Sequence, residues 1–568
     1  MMAKISEAYQ HHNLSSQLTW CRLGVLIAVA IFTLVIAFKF SVGSSEVSGF
    51  GTIDPTAKYV KSITWNVAAI NNNPFEYWIT NDENPNYNKL MSNVSNFIES
   101  PGSNDVKVGS VFTDTMFEEL AGIMTKLGWG GVNETRRLWQ EDFSQRSIIN
   151  GFVKDGLLGK KRLASMPDRV TNTIHASDGS SVMRPTVINC YDGDLSTLAA
   201  WWKQWKNFFF ERTIQVKKKG EVQSTKIHSM LSTIKKSKYP ALSAEEEAIS
   251  IPLQTMAMAI FDAILVHMMS IVGPGTWQAL RTDMCQKLNH KKNDRTVEIL
   301  QTTYAEVDIQ FLQEVAGNFK SFANQHPVAQ IFEIHQSASM DTERDQNSYI
   351  LLKKGKFRDV VEVTDKVLDF FSAQNNGAKL PLVNGDLIVL VVTDAADGTK
   401  YILASFHGDT NGLATKPIVS AVRSYAVAQQ PNCKLLFGLD ANTYSKPEKD
   451  QQGVVDFGAF YTDLKLNSCY GPHPNPLNFT TFHARTHLQP QLNKAVSLEE
   501  KDLKGDKNPK DFILFFDSDF TVVSTTKDNT GKRVYIEGMV FPTLTFPSDH
   551  GITSTILKEN GATKKNLK

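Results

Sequence analysis

The sequence predicts an α/β protein in which strands near both ends of the chain frame a long, mainly helical segment. Apolar runs of strand length that end in polar residues occur at 59–70 and recur over 306–557, whereas 71–295 carries its apolar residues at helical spacing. The composition, 42% apolar and 21% charged over 568 residues, suits one large core or two moderate ones and excludes a disordered or fibrous chain. A net charge of +1 gives no overall field for a polyanion, so binding nucleic acid would need a local basic patch.

Taken in order, residues 1–22 form a polar tail. The stretch from Leu23 to Phe38 has no charge, and if Lys39 snorkels the apolar segment covers 23–40, about the shortest length that spans a bilayer. We expect a single-pass transmembrane helix here. The alternative is a cleaved signal segment with its small-residue site at Val42-Gly43-Ser44. Lys4 and Arg22 on one side nearly balance Lys39 and Lys58 on the other, and the catalytic bulk is expected to be lumenal or extracellular. Residues 41–58, rich in Ser and Gly, read as a tether.

Residues 59–70 alternate as a strand does, with Asn66 near its end. Within 71–295, helices are expected at 116–127, 195–210 and 251–272. The last contains Asp262 and His267, and it reads as a buried core helix holding a satisfied histidine. The aromatics Trp201, Trp202 and Trp205 could stack on bases or lie at a lipid interface, or pack inside the segment. Residues 215–220, with three consecutive lysines, read as a solvated loop.

After 295 the texture changes to short strands and turns. Residues 306–315 place Glu314 near a strand end. Strands at 348–353 and 387–393 follow, and the latter closes a hairpin with 401–406, after which stand His407 and Asp409. Residues 435–438 lead into Leu439-Asp440-Ala441-Asn442. The strand at 511–516 has its acid, Asp511, at the front, and Pro547-Ser548-Asp549-His550 is the last strong element. Residues 558–568 are a basic polar tail. Cys190, Cys285, Cys433 and Cys469 show no metal-ligand spacing and could be two disulfides or four buried thiols.

Nearly every polar candidate therefore lies at a strand end, where side chains face a crevice. In extended geometry Asp440 and Asn442 would leave one face about 7 Å apart. Such a carboxylate and amide can accept a proton from water and hold a phosphoryl oxygen. The motifs TWNVAAI, DIQFLQEV, ASFHGD, LLFGLDANTYS, DFILFF and PSDHGI stand in the order in which similar motifs occur in the endonuclease/exonuclease/phosphatase superfamily. The chain resembles that family over 59–70 and from about 308 to 557. The resemblance implies a deoxyribonuclease I-like fold: a two-sheet β-sandwich flanked by helices, spanning 59–557 and interrupted by the 71–295 insertion, to which the resemblance does not extend.

It also implies roles. Glu314, with Asn66 and Asp549, would hold Mg²⁺, or Mn²⁺ in its place. Asp440 would position or deprotonate the attacking water, and Asn442 would hold a phosphate oxygen. Asp511 would pair with His550 and favour its imidazolium, and His407 would contact the phosphate or the leaving oxygen. The implied protein is a membrane-anchored, Mg²⁺-dependent phosphoesterase acting on a phosphodiester or phosphomonoester by metal-assisted water attack. Nucleic acid is the first expected substrate. The alternatives are a phospholipid headgroup, as for a sphingomyelinase-like lipid phosphodiesterase, or a binding protein that uses the fold as scaffold. The sequence carries nothing on oligomeric state.

Overall fold

A computed structural model of the chain describes residues 56–81, 83–218, 221–340, 344–482, 488–490 and 506–561. The expected membrane segment, 23–40, lies outside them. Twelve strands make two sheets. The first contains β1 (Tyr59–Asn66), β2 (Ile309–Val315), β3 (Phe332–Gln336), β4 (Asn347–Lys353), β11 (Phe520–Asp528) and β12 (Ile552–Glu559), in the order β11-β12-β1-β2-β4-β3. The second contains β5 (Phe357–Glu362), β6 (Leu387–Asp394), β7 (Lys400–His407), β8 (Cys433–Asp440), β9 (Leu466–Ser468) and β10 (Asp511–Phe516), in the order β9-β10-β8-β7-β6-β5.

The sheets face each other across one apolar layer. Ile309, Phe311 and Leu352 of the first meet Leu390, Leu403, Leu436 and Phe515 of the second. Gly438 is required at the centre of this layer, because a Cβ there would lie 2.3 Å from the Phe311 ring. Helices cover both outer faces, which is why the central strands are buried on two sides and read as continuous apolar runs. Lys292–Thr302 (α2) packs on the first sheet through Val297 and Leu300. Thr364–Gln374 (α3), Thr415–Gln429 (α4) and Val454–Asp463 (α5) cover the second through residues such as Val367, Ile418 and Phe457. The sandwich with helices on both faces is the fold that the resemblance implied.

The inserted segment has its own core, built around Ser250–Val272 (α1). Among the described residues this is the one helix long and apolar enough to cross a membrane, and it is buried inside the protein. Its charge is accommodated: the fully buried Asp262 accepts from Thr186 Oγ1 at 2.7 Å and Trp205 Nε1 at 3.0 Å, and lies 3.0 Å from Arg184 Nε.

Several expectations need correction. His267 is half-buried, and its Nε2 has no hydrogen-bond partner, so it is not a satisfied histidine. Trp201, Trp202 and Trp205 are 0%, 5% and 0% exposed, so their faces pack in the core and none is open to a base or a lipid. Residues 215–218 of the expected loop lie in the strand Thr213–Lys218, which pairs with Glu221–Lys226, and residues 219–220 lie outside the described residues. Residue 295, where the sequence placed the end of the insertion, falls inside α2. Of the four cysteines, Cys190 and Cys285 form a disulfide while Cys433 and Cys469 are free and buried.

Candidate active site

The register of the second sheet sets three of the expected residues side by side. His407 pairs with Asp440 across the parallel β7 and β8, and Asp440 pairs with Asp511 across the antiparallel β8 and β10. The reversed direction of β10 explains why its acid stands at the front of the strand. In the first sheet Asn66 pairs with Gln313, the neighbour of Glu314.

At each end the chain turns sharply. Glu314 lies in an irregularity of the β2–β4 ladder with a left-handed backbone, φ 53°. Bulges of this kind re-aim a side chain beside functional sites. Ala68 and Asn442 are also left-handed, at φ 58° and 48°. Asn442 therefore does not continue the strand: its backbone N–H donates to Asp440 Oδ1 at 2.9 Å, which replaces the extended Asp-x-Asn geometry expected from the sequence.

Asn66 ties the two sheets together. Its Nδ2 donates to Glu314 Oε1 at 3.1 Å and to Asp440 Oδ2 at 2.9 Å, while its Oδ1 accepts from Ala68 N at 2.8 Å. The amide offers its hydrogens to the acids and its oxygen to the Ala68 N–H, so Asn66 bridges the two carboxylates. Glu314 Oε2 accepts from Ala69 N at 2.8 Å. His407 Nε2 lies 3.3 Å from Glu314 Oε1 and 3.6 Å from Asp440 Oδ2. His550 Nε2 lies 3.7 Å from the same Asp440 oxygen, and its Nδ1 is 3.0 Å from Asp511 Oδ2. Thr480 Oγ1 donates to that Asp511 oxygen at 2.6 Å. Asp549 shares a cavity with Glu314.

The groups grade from half-open to closed: Glu314 and His407 side chains are 19% and 12% exposed, against 1% for Asp440 and 0% for Asp511. Burial works against charge on Asp440, yet His550 above all, with the Asn66 amide, outweighs it and holds the carboxyl below its usual range. Burial also opposes charge on His550, but the carboxylates of Asp511 and Asp440 push its pKa up to about 10. Burial raises Asp511, and His550 offsets part of that. The pair's proton sits on the imidazole, where two carboxylates face it.

Two cations complete the site without having been legible in the sequence. Lys292, in a polar run that reads as surface, is 4% exposed; its Nζ donates to Pro547 O at 3.1 Å and Ala69 O at 3.3 Å. Burial lowers its pKa to about 8, against the pull of Asp549 and Glu314. Lys510 Nζ is 2.7 Å from Asp506, and this acid and Asp440 keep it charged despite burial. Only the adjacency of Lys510 to Asp511 could have flagged it.

A hard divalent ion prefers oxygen ligands with room for water. Glu314, His407 and Asp440 each bring one ligand atom within 4.8 Å of the others, and Asp549 lines the same cavity as Glu314. This acid-rich set, half-open at Glu314, fits Mg²⁺ or Mn²⁺.

Residues 105–282, inside the insertion, match a domain of unknown function (DUF8234). The sequence matches no curated protein. Among solved structures, humanized TDP2 of D. rerio aligns with 48% of this chain and 94% of its own, at 12% identity and a TM-score of 0.31. The human Nocturnin catalytic domain with bound sulfate aligns with 48% of this chain and 89% of its own, at 12% identity and a TM-score of 0.31. An endonuclease/exonuclease/phosphatase from Bacteroides vulgatus aligns with 49% of this chain and 92% of its own, at 13% identity and a TM-score of 0.31. Likenesses of this size carry no functional argument, and the site is read from its own geometry.

Proposed function

We propose that this chain is a Mg²⁺- or Mn²⁺-dependent phosphoesterase that hydrolyses a phosphodiester or phosphomonoester by direct attack of water. The observation that carries the reading is the convergence of Glu314, His407, Asp440 and His550 from both sheets around the Asn66 amide.

Glu314 and Asp549 would hold the ion, which when bound neutralises charge on the phosphoryl oxygens. Asp440, kept ionised, orients the attacking water and accepts its proton. The His550 imidazolium, fixed by Asp511, faces the charge that builds on phosphorus. His407 contacts the phosphate or the leaving oxygen, Asn442 holds a phosphate oxygen, and Lys292 adds a positive charge beside the acids below a pH of about 8. No covalent enzyme intermediate is required.

The burial of Trp201, Trp202 and Trp205 takes away the stacking argument for nucleic acid. The substrate class therefore rests on the cavity beside Glu314. Membrane attachment through 23–40 is part of the proposal and stands on sequence alone. The test is release of p-nitrophenol from bis(p-nitrophenyl) phosphate by the purified chain. Activity with Mg²⁺ or Mn²⁺, its loss with EDTA, and a His550→Ala rate lower by at least about a hundredfold are expected. Hydrolysis that persists in EDTA would end the assignment.

A further inference from the structure

Beside Glu314 lies a cavity of about 270 Å³. Much of its lining is apolar, with Ile70, Pro74 and Tyr77 from just after β1 and Met284, Cys285 and Leu288 from near the end of the insertion. Glu314, Asp549 and Lys292 line the same cavity, and both acids lie near enough to Tyr77 to add to the upward push that burial gives its hydroxyl. An apolar body with a few convergent polar groups is the usual make-up of a small-molecule site. Here the polar groups belong to the proposed reaction centre itself.

The wall contributed by the insertion is tied in place. The Cys190–Cys285 disulfide fixes the end of helix Trp277–Cys285. Asn289 Nδ2 donates to Asn71 O at 3.2 Å, and Lys292 Nζ donates to Ala69 O at 3.3 Å, so the end of the insertion is tied to the chain just after β1. A wall held this way is pre-organised and restricts what can enter. At about 270 Å³ the cavity has room for a ring-sized group beside the phosphoryl site.

We infer that the insertion acts as a specificity wall, and that the site takes a small phosphoester whose ring-sized apolar group enters beside Tyr77 and Leu288. This rests on the phosphoesterase reading and adds its substrate class. The phosphoryl group would stand at Glu314 and Lys292, with the esterified group directed away from the buried Asp440.

The experiment is calorimetric binding of benzylphosphonate and methylphosphonate to the full chain in Mg²⁺, with hydrolysis of bis(p-nitrophenyl) phosphate measured on the same preparation. Wild type should bind the benzyl compound about tenfold or more tightly. Leu288→Trp, at a half-buried position, should abolish that preference, and Leu288→Ala should move it toward naphthylmethylphosphonate. Circular dichroism checks folding, and Ile70→Trp, in the chain just after β1, serves if Leu288→Trp does not fold. Equal binding of the two phosphonates by wild type overturns the inference, as does a benzyl preference that survives a folded Trp variant. Hydrolysis without benzyl preference removes the pocket and leaves the reaction. Benzyl preference without hydrolysis supports the pocket and removes the reaction.

Discussion

Replacing Asp511 with Asn tests how the charge on His550 is set. Thr480 Oγ1 accepts from the backbone N–H groups of Lys510 and Asp511 at 2.8 and 3.1 Å, so its own hydrogen must go to Asp511 Oδ2. An Asn here keeps its oxygen toward Thr480 and turns its NH₂ toward His550 Nδ1, which is 3.1 Å from the other carboxylate oxygen. The histidine is then held neutral, with its hydrogen on Nε2. In the wild type the imidazolium is favoured from 6.5 up to about 10, which corresponds to on the order of 5 kcal/mol. Removing the Asp511 charge takes away the largest of the groups that raise the histidine pKa, so half-protonation moves down. Because the histidine pKa is raised, the wild type keeps its imidazolium at every pH below about 10. A pH profile of kcat/KM should therefore show no loss from this group between pH 6 and 9. Asp511→Asn should lose roughly a hundredfold to a thousandfold at pH 8 and regain activity as the pH falls toward 5.5. A variant with the wild-type profile would refute this account of the pair.

Three further outcomes are expected. Asp262→Asn leaves Arg184 buried with Asp168 as its remaining acid, and should destabilise the insertion by about 3–5 kcal/mol in urea denaturation. Cys190→Ser opens a link across 95 residues and should lower stability by about 2–5 kcal/mol, with added reductant reproducing the effect on the wild type. Lys292→Met removes a buried cation beside Asp549 and Glu314; it should raise KM for a phosphoester about tenfold without weakening the Mg²⁺ midpoint in a rate titration.

The sandwich was legible because its central strands are buried on both faces, and such strands are uniform apolar runs whose polar ends stand out. Register then did what spacing alone could not, bringing His407, Asp440 and Asp511 into one row. The geometry at Asp440 and Asn442 was misread because an aspartate at a strand end captures the amide two residues on, which bends the chain out of the strand. The bridge that Asn66 makes between the two acids was not legible, because it depends on the Ala68 N–H engaging the amide oxygen two residues later. Lys292 was hidden because a lysine in a polar helical stretch signals solvent, and only the packing of α2 against the sandwich buries it. The paired strands Thr213–Lys218 and Glu221–Lys226 are mostly exposed and carry only Ile214, Val216 and Val222 as apolar residues, so composition favoured a loop.

The central claim is that Glu314 belongs to a metal-dependent reaction centre. The most direct measurement is the rate of phosphodiester hydrolysis against Mg²⁺ concentration for wild type and Glu314→Gln, with unfolding midpoints recorded for both. The account predicts that the variant folds, needs far more Mg²⁺ and turns over at least about a hundredfold more slowly. A Glu314→Gln protein with the wild-type rate and Mg²⁺ midpoint would contradict it.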